Sequence, residues 1–510
     1  MPMGALTVMS CRLSRRDFLL RTSAAFAAGS PALSLACRTG IPRSSLPGDL
    51  TTLSAAAAVA AMTRGDLKAE DYARALLDRA ARLQSLNAFR VLVPETVLEA
   101  ARAADKARAS GSPMGRLHGL PIPVKDSVNT VAYPTSNGTA ALRDFRPKAN
   151  ASVLTPLLAA GAIVMGKTNL HELSLGWTSS NATFGAVRNP YDPTRIPGGS
   201  SGGSGAAVAA RMAPLAIAED TLGSIRIPAT MCGICGLRPT YARYPDDGIM
   251  PLTEGKFDQV GPLARTVEDL ALFDTVITGD ATPLEAIDLK GVRLGVADFF
   301  VADLDVEVER VMNGALDRLR AAGATIVRED VPEEVKAAPA VALAILVSEV
   351  RASIAGFLAS EGTGVTFEQM AAQAGPDLKT MLSAGAPPRS AYDGMVARRA
   401  GVGEALRTYF ATHQLSALVY PPAMIPAYKI GEDGMLTLRG ASLPPTTTIG
   451  RNVSLSSCAS LSSLVLPAGV TAEGLPVGLE FDGLPGTDRR LLALGMALER
   501  ALGPIPAPKV

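Results

Sequence analysis

Apolar positions along this chain follow two alternating periods. Across residues 50–83 the stretches TTLSAAAAVAAM and AEDYARALLDRAARL repeat apolar residues three and four apart, which predicts a helical hairpin with Thr51 and Glu70 in its first turns. A third helix is predicted near 95–109. The period then shortens. GLPIPVKD at 119–126 reads as a strand whose lysine stands in an apolar setting, ASVLTPLLAAG as a helix and AIVMG as a strand. GAAVAARM continues as a helix, PLAIA as a strand, TVEDLALFDTVI as a helix, GVRLGVA as a strand, VEVERVMNGALDRLRAAG as a helix and ATIVRE as a strand. This rhythm predicts an α/β fold, one sheet with helices on both faces. Residues 331–412 are mainly helical and less patterned, and are expected to form a peripheral region that shapes access to a site. Strand patterns return at LSALVYP, LSSLVLP and GLPVGLEF before a last helix, DRRLLALGMALERAL. There is no internal repeat and no composition break that would mark a second domain.

Composition narrows the partners. The 510 residues carry 49 Lys+Arg against 48 Asp+Glu, a formal charge of +1, which gives no electrostatic reason to expect nucleic acid or an anionic membrane surface. A neutral small-molecule substrate fits that balance. Apolar residues make up 47% of the chain, yet no uncharged run approaches the roughly 20 residues of a membrane span, so the mature protein is expected to be soluble, as a monomer or homodimer. The N-terminus reads differently. Ser14-Arg15-Arg16-Asp17-Phe18-Leu19-Leu20, followed by a small Ala-rich run ending at Ser34-Leu35-Ala36-Cys37, looks like a twin-arginine export signal spanning 1–36. It implies a periplasmic or extracellular protein, cleaved after Ala36 or lipid-anchored at Cys37, with the main domain over 37–510. Five cysteines are too few for a disulfide-built fold of this size. Cys232 and Cys235 have redox-motif spacing on a loop after IRIPAT, without the βαβ setting such a motif needs, and read as buried packing or a local disulfide. His118, His171 and His413 are widely separated, so no metal and no cofactor is expected.

Chemistry concentrates in residues 197–240. Ser200, Ser201 and Ser204 sit in one glycine cluster and Ser224 stands in a second Gly-Ser pair 24 positions later. Glycines let several backbone N–H groups approach a ligand, and the helix and strand between the clusters argue against a flexible linker. Gly161 to Thr168 matches GxxxxGK[ST] literally, but a helix precedes it and Ala-Ile-Val-Met is itself the strand, the reverse of a phosphate loop. Gly199-Ser200-Ser201-Gly202-Gly203 satisfies the nucleophile-elbow pattern, with only His413, at a helix end, to serve as its base. A serine nucleophile needs a proton acceptor, and Lys125 after PIPV is the best placed, since desolvation lowers the pKa of its ammonium.

GLPIPVKD, GKTNLHE, FGAVRNPYDPTRIPGGSSGGSGAAVAAR and PLAIAEDTLGSIRIPATMCGICGLRPT resemble, in that order, the consecutive motifs of the amidase signature family. The resemblance runs from about residue 50 to the final helix and is weakest between about 279 and 416. It implies one α/β domain around a large, twisted, mixed sheet covered by helices, with hydrolysis of a carboxamide through a Ser-Ser-Lys triad. Ser224 corresponds to the nucleophile, Ser200 to the bridging serine with its cis peptide bond, and Lys125 to the base. The implied oxyanion donors are the N–H groups of Thr221, Leu222, Gly223 and Ser224. Two positions depart from the usual Gly-Thr-Asp-Thr-Gly-Gly-Ser. Leu222 replaces a glycine, and would be strained if its backbone were left-handed or would narrow the pocket; Glu219 replaces a threonine, and would pair with Arg226 or another cation, or face solvent. Ser174, Leu175, Gly176 and Trp177 fall on a cavity wall of the family and are substrate-contact candidates, with Trp177 equally readable as core filler. Specificity is expected from 331–412 and the 421–445 loop.

Overall fold

Two strands, Pro121–Lys125 and Leu215–Asp220, are buried at every position and lie parallel to each other, the signature of central strands covered on both faces. Pro121 and Pro123 cannot donate to a ladder, and the register shifts between Ile122 and Pro123 where this strand meets Ile163–Thr168. The structure is a computed structural model, and it describes residues 46–383 and 387–510. The expected export segment, with Arg15 and Arg16, and Cys37 lie outside the described residues.

The sheet has eleven strands and is mixed. In spatial order they are Phe89–Val91, Ile163–Thr168, Pro121–Lys125, Leu215–Asp220, Gln259–Ala264, Cys235–Arg238, Ser462–Val470, Pro476–Gly483, Ala417–Tyr420, Arg293–Gly295 and Thr325–Val327. Parallel pairs flank an antiparallel centre on both sides, and at one edge the short strand Phe89–Val91 pairs antiparallel with Ile163–Thr168. Helices cover both faces, and two large apolar clusters result. One gathers the N-terminal hairpin with the helices Val267–Thr278, Val306–Ala321 and Asp488–Leu502. The other lies beneath the 331–412 span, which folds as Glu333–Lys336, Ala338–Ser360, Phe367–Gln373, Pro376–Ser383 and Arg389–His413. Ala338–Ser360 is long and apolar enough to cross a membrane by length and composition, but it carries Glu349 and Arg351, and 56% of its most apolar window is buried inside the protein.

The elements begin and end where local chemistry dictates. Helix Ala55–Arg64 is capped by Ser54, whose hydroxyl accepts from Ala57 N, and ends at Gly65 in the left-handed region. Its first two N–H groups, of Ala55 and Ala56, donate to the buried carboxylate of Asp269, each at 2.9 Å, so a residue more than two hundred positions away completes the cap. Cys232 and Cys235 are not on a loop: the first ends the helix Arg226–Cys232 and the second opens the next strand, with Gly233 at φ 63° making the turn between them. Both are buried free thiols. Replacing Asp269 with Ala strands the buried N–H of Ala55 and the half-buried one of Ala56 and should lower stability by about 2 kcal/mol, read as the urea midpoint; an unchanged midpoint would mean that apolar contacts alone hold the hairpin.

Candidate active site

Lys125 ends its strand beside the C-terminal end of the parallel strand that carries Glu219 and Asp220, with Val124 in register with Ile217. Its fully buried Nζ donates to Ser200 Oγ at 2.7 Å and to Glu219 Oε1 at 3.2 Å. Ser174 Oγ donates to the same Glu219 oxygen at 2.5 Å. Burial pushes the Lys125 ammonium down from its ordinary value, and Glu219, with Asp220 and Asp258 behind it, pulls the other way. Glu219 thus pairs with Lys125 and not with Arg226, a pairing that depends on strand register and not on proximity in the chain.

Ser200 is held by its own backbone. Its carbonyl accepts from His171 N at 3.1 Å and Ser179 Oγ at 3.2 Å, and the Gly199–Ser200 peptide bond is cis. Ser201 Oγ donates to the Glu219 carbonyl, and Ser204 Oγ to that of Ile217, so the glycine cluster is sewn onto the strand beneath it. Gly203 has no room for a side chain, since a Cβ would lie 2.3 Å from Asn169 O. Among the described residues no hydrogen bond joins the Ser200 and Ser224 hydroxyls; the link between their segments is Ser201 N donating to Ser224 O at 3.3 Å.

The turn bearing Ser224 is built around Asp220. Its Oδ1 accepts from Gly223 N at 2.8 Å and its Oδ2 from Ile225 N and Arg226 Nε, each at 3.0 Å, while Arg238 Nη1 reaches Oδ1 at 3.0 Å. Burial pushes this carboxyl up, but Arg226 and Arg238 outweigh it and hold it well below the usual carboxylate range. Arg226 also donates to Glu480 at 2.7 Å and to Ser457 at 3.1 Å, and bonds Ser456. The Gly223 N–H, expected among the oxyanion donors, is therefore committed to Asp220. Those of Thr221, Leu222 and Ser224 make no hydrogen bond among the described residues. Leu222 is absent from the positive-φ residues, so the glycine it replaces is not needed for conformation; the left-handed position is Gly223, at φ 97°. The Leu222 side chain is buried in an apolar cluster with Leu173, Met250, Phe257 and Leu455.

The four substrate-contact candidates are held in place by their neighbours. Leu173 and Ser174 are consecutive left-handed residues, φ 53° and 58°, a strained turn fixed by Leu173 N to Asn137 O and Ser174 N to His171 O. Leu175 packs on the Leu222 cluster, and a Cβ on Gly176 would strike the His171 ring. Trp177 Nε1 donates to Leu222 O at 2.7 Å, so the tryptophan braces the turn. His413 ends its helix against Tyr409, ring centroids 4.7 Å apart, and bonds neither serine. Lys167, of the phosphate-loop match, is buried in its strand and donates to Thr135 Oγ1 at 2.8 Å and to Val128 O. Sequence reasoning missed the Asp220–Arg226–Arg238 centre, although all three stand within the motif at 214–240.

The profile of the family described as Amidase matches residues 71–492. The chain belongs to the amidase signature family. Its class of chemistry is hydrolysis of amide C–N bonds. It is 36% identical over 483 residues to the mandelamide hydrolase of Pseudomonas putida, covering 91% of this chain and 94% of that protein. It is also 36% identical to a glutamyl-tRNA(Gln) amidotransferase subunit of Chloroflexus aurantiacus, over 89% of this chain and 97% of that one. The peptide amidase of Stenotrophomonas maltophilia superposes with a TM-score of 0.78 at 29% identity, over 90% and 98% of the two chains.

Removing Arg226 leaves the Asp220 carboxylate and the Glu480 carboxyl buried with fewer partners. Arg226→Met is expected to cost about 3–5 kcal/mol in chemical denaturation, whereas Arg351→Met, at an exposed pair with Glu368, should cost less than about 1 kcal/mol.

Proposed function

We propose that the enzyme cleaves a small amide, anilide, peptide amide or carbamate by way of an acyl-enzyme on Ser224, with Ser200 and Lys125 as its proton relay. The observation that carries this reading is a fully buried lysine 2.7 Å from the hydroxyl of Ser200, on a loop whose backbone is bonded to the Ser224 carbonyl. As a neutral amine, Lys125 accepts the Ser200 proton while Ser200 accepts that of Ser224, and Ser224 Oγ attacks the carbonyl carbon. A χ1 rotation of Ser224 on substrate binding closes the relay, since such bonds often tighten only in the complex. The oxyanion is met by the N–H groups of Thr221, Leu222 and Ser224. The C–N bond breaks as the relay returns its proton to the leaving amine. Water, deprotonated by the same relay, then attacks the ester and releases the acid.

The Arg15-Arg16 pattern supports an enzyme that acts outside the cytoplasm. Similarity to an amidotransferase component supports a second reading, delivery of ammonia to a partner's substrate; co-purification with a stoichiometric second protein would favour it over simple hydrolysis.

Ser224→Ala should lower kcat by about 10⁴-fold or more and abolish labelling by a sulfonyl fluoride; retained turnover would remove Ser224 from the mechanism. The pH dependence follows from Glu219. Lys125 must lose its proton to act as base, burial favours that loss, and the Glu219 carboxylate opposes it. Glu219→Gln should therefore move the acid limb of the kcat/KM profile to lower pH. A limb that stays in place would show that Glu219 does not govern the lysine.

A further inference from the structure

The three N–H groups proposed to meet the oxyanion are aimed by different means. A peptide unit is planar, so a bond to its carbonyl also sets the direction of its N–H. The Asp220 carbonyl accepts from Arg238 Nη1, which aims the N–H of Thr221. The Gly223 carbonyl accepts from Ile227 N at 2.8 Å, which aims that of Ser224. The Thr221 carbonyl, in the peptide that carries the Leu222 N–H, accepts no hydrogen bond among the described residues. That unit takes its direction from its neighbours. On one side Thr221 Oγ1 donates to Asp258 Oδ1 at 2.6 Å. On the other lies the Leu222–Gly223 peptide, gripped at both ends: Gly223 N donates to Asp220 at 2.8 Å, and the Leu222 carbonyl accepts from Trp177 Nε1 at 2.7 Å. One grip would leave this plane free to swing about its bond to Asp220, whereas two fix it.

Trp177 reaches the other serine as well. Its carbonyl carbon and Thr178 N pack so closely on Gly199 that a Cβ there would lie 2.8 Å from each. Ser179 Oγ, two residues on, shares its proton between the Gly198 and Ser200 carbonyls, 2.9 and 3.2 Å away. The indole is itself braced, since a Cβ on Gly450 would lie 3.0 Å from its Cη2, and the helix Gly450–Cys458 that begins there sets Val453 against Gly223. A residue that only filled space would need no donor here. Phenylalanine or leucine would serve the packing, but neither could bond the Leu222 carbonyl.

We propose that Trp177 is a positioning residue for the transition state: its indole N–H fixes the Leu222–Gly223 peptide and, through it, the direction of the Leu222 N–H toward the oxyanion, while its backbone keeps that turn in register with the Ser200 loop. The proposal rests on the amide-hydrolase reading. Trp177 acts through the turn and not on the reacting atoms, so its contribution is felt only as negative charge develops on the carbonyl oxygen. Substrate binding precedes that charge and does not call on it.

The test separates ground-state from transition-state binding in Trp177→Phe, which keeps an apolar ring and removes the donor. On acyl p-nitroanilides kcat should fall about 10–100-fold with KM within about twofold. Phenylboronic acid, whose boron takes up Ser224 Oγ to give a tetrahedral anion, should bind more weakly by about the same factor. Should Trp177→Phe fail to fold by far-UV circular dichroism, the same measurements are made with an isosteric tryptophan analogue carrying sulfur in place of the ring N–H. Because the chain has a single tryptophan, the analogue alters no other side chain. A purely packing role predicts a lower urea midpoint with kcat and boronate affinity of the folded enzyme unchanged; that result overturns the proposal, as does a loss carried by KM alone. If the wild type hydrolyses no amide and is not labelled at Ser224 by a sulfonyl fluoride, the hydrolase reading falls and the positioning role with it. An active wild type beside an indifferent Trp177→Phe removes the positioning role alone.

Discussion

The turn bearing Ser224 depends on one buried carboxylate. Asp220 ends a central strand and gathers two backbone N–H groups and two guanidinium groups, so the chain from 220 to 226 can take only one path. Each arginine ties this carboxylate to a different part of the sheet. Arg238 lies on the strand Cys235–Arg238, and Arg226 reaches Glu480 on Pro476–Gly483. Charges buried this deeply are tolerated only when mutually paired and hydrogen-bonded, and the cost of breaking the set is what keeps the turn rigid. Rigidity has a chemical consequence, since three N–H groups of the turn stay unbonded while the fourth is drawn back to Asp220.

A second balance, between desolvation and charge, governs Lys125. A lysine with no solvent exposure would ordinarily give up its proton; here Glu219 sits 3.2 Å away and favours the ammonium. The opposition arises because two parallel strands end side by side and place these residues at their tips. Ser174, on a strained left-handed turn, bonds the same carboxylate oxygen and orients it.

Legibility followed the range of the interaction. Helices with strong apolar periodicity and the motif-bearing strands could be read locally. The strands Gln259–Ala264 and Cys235–Arg238 could not, because Gly261, Pro262 and Gly236 interrupt their apolar runs. Those interruptions are themselves tertiary requirements: a Cβ on Gly261 would lie 2.1 Å from Leu237 O. Phe89–Val91 is a three-residue edge strand, too short to carry a period. The strain considered for Leu222 also failed locally, since the left-handed residue is its neighbour Gly223.

By itself the sequence determined the alternation of helix and strand, the family, and the serines and lysine gathered in its densest motifs, because periodicity and motif order are properties of neighbouring residues. Which charges meet was decided only by the tertiary structure. Lys125 and Glu219 are 94 positions apart and Arg226 and Glu480 are 254 apart, and their pairing follows from strand order and register, which no local pattern encodes.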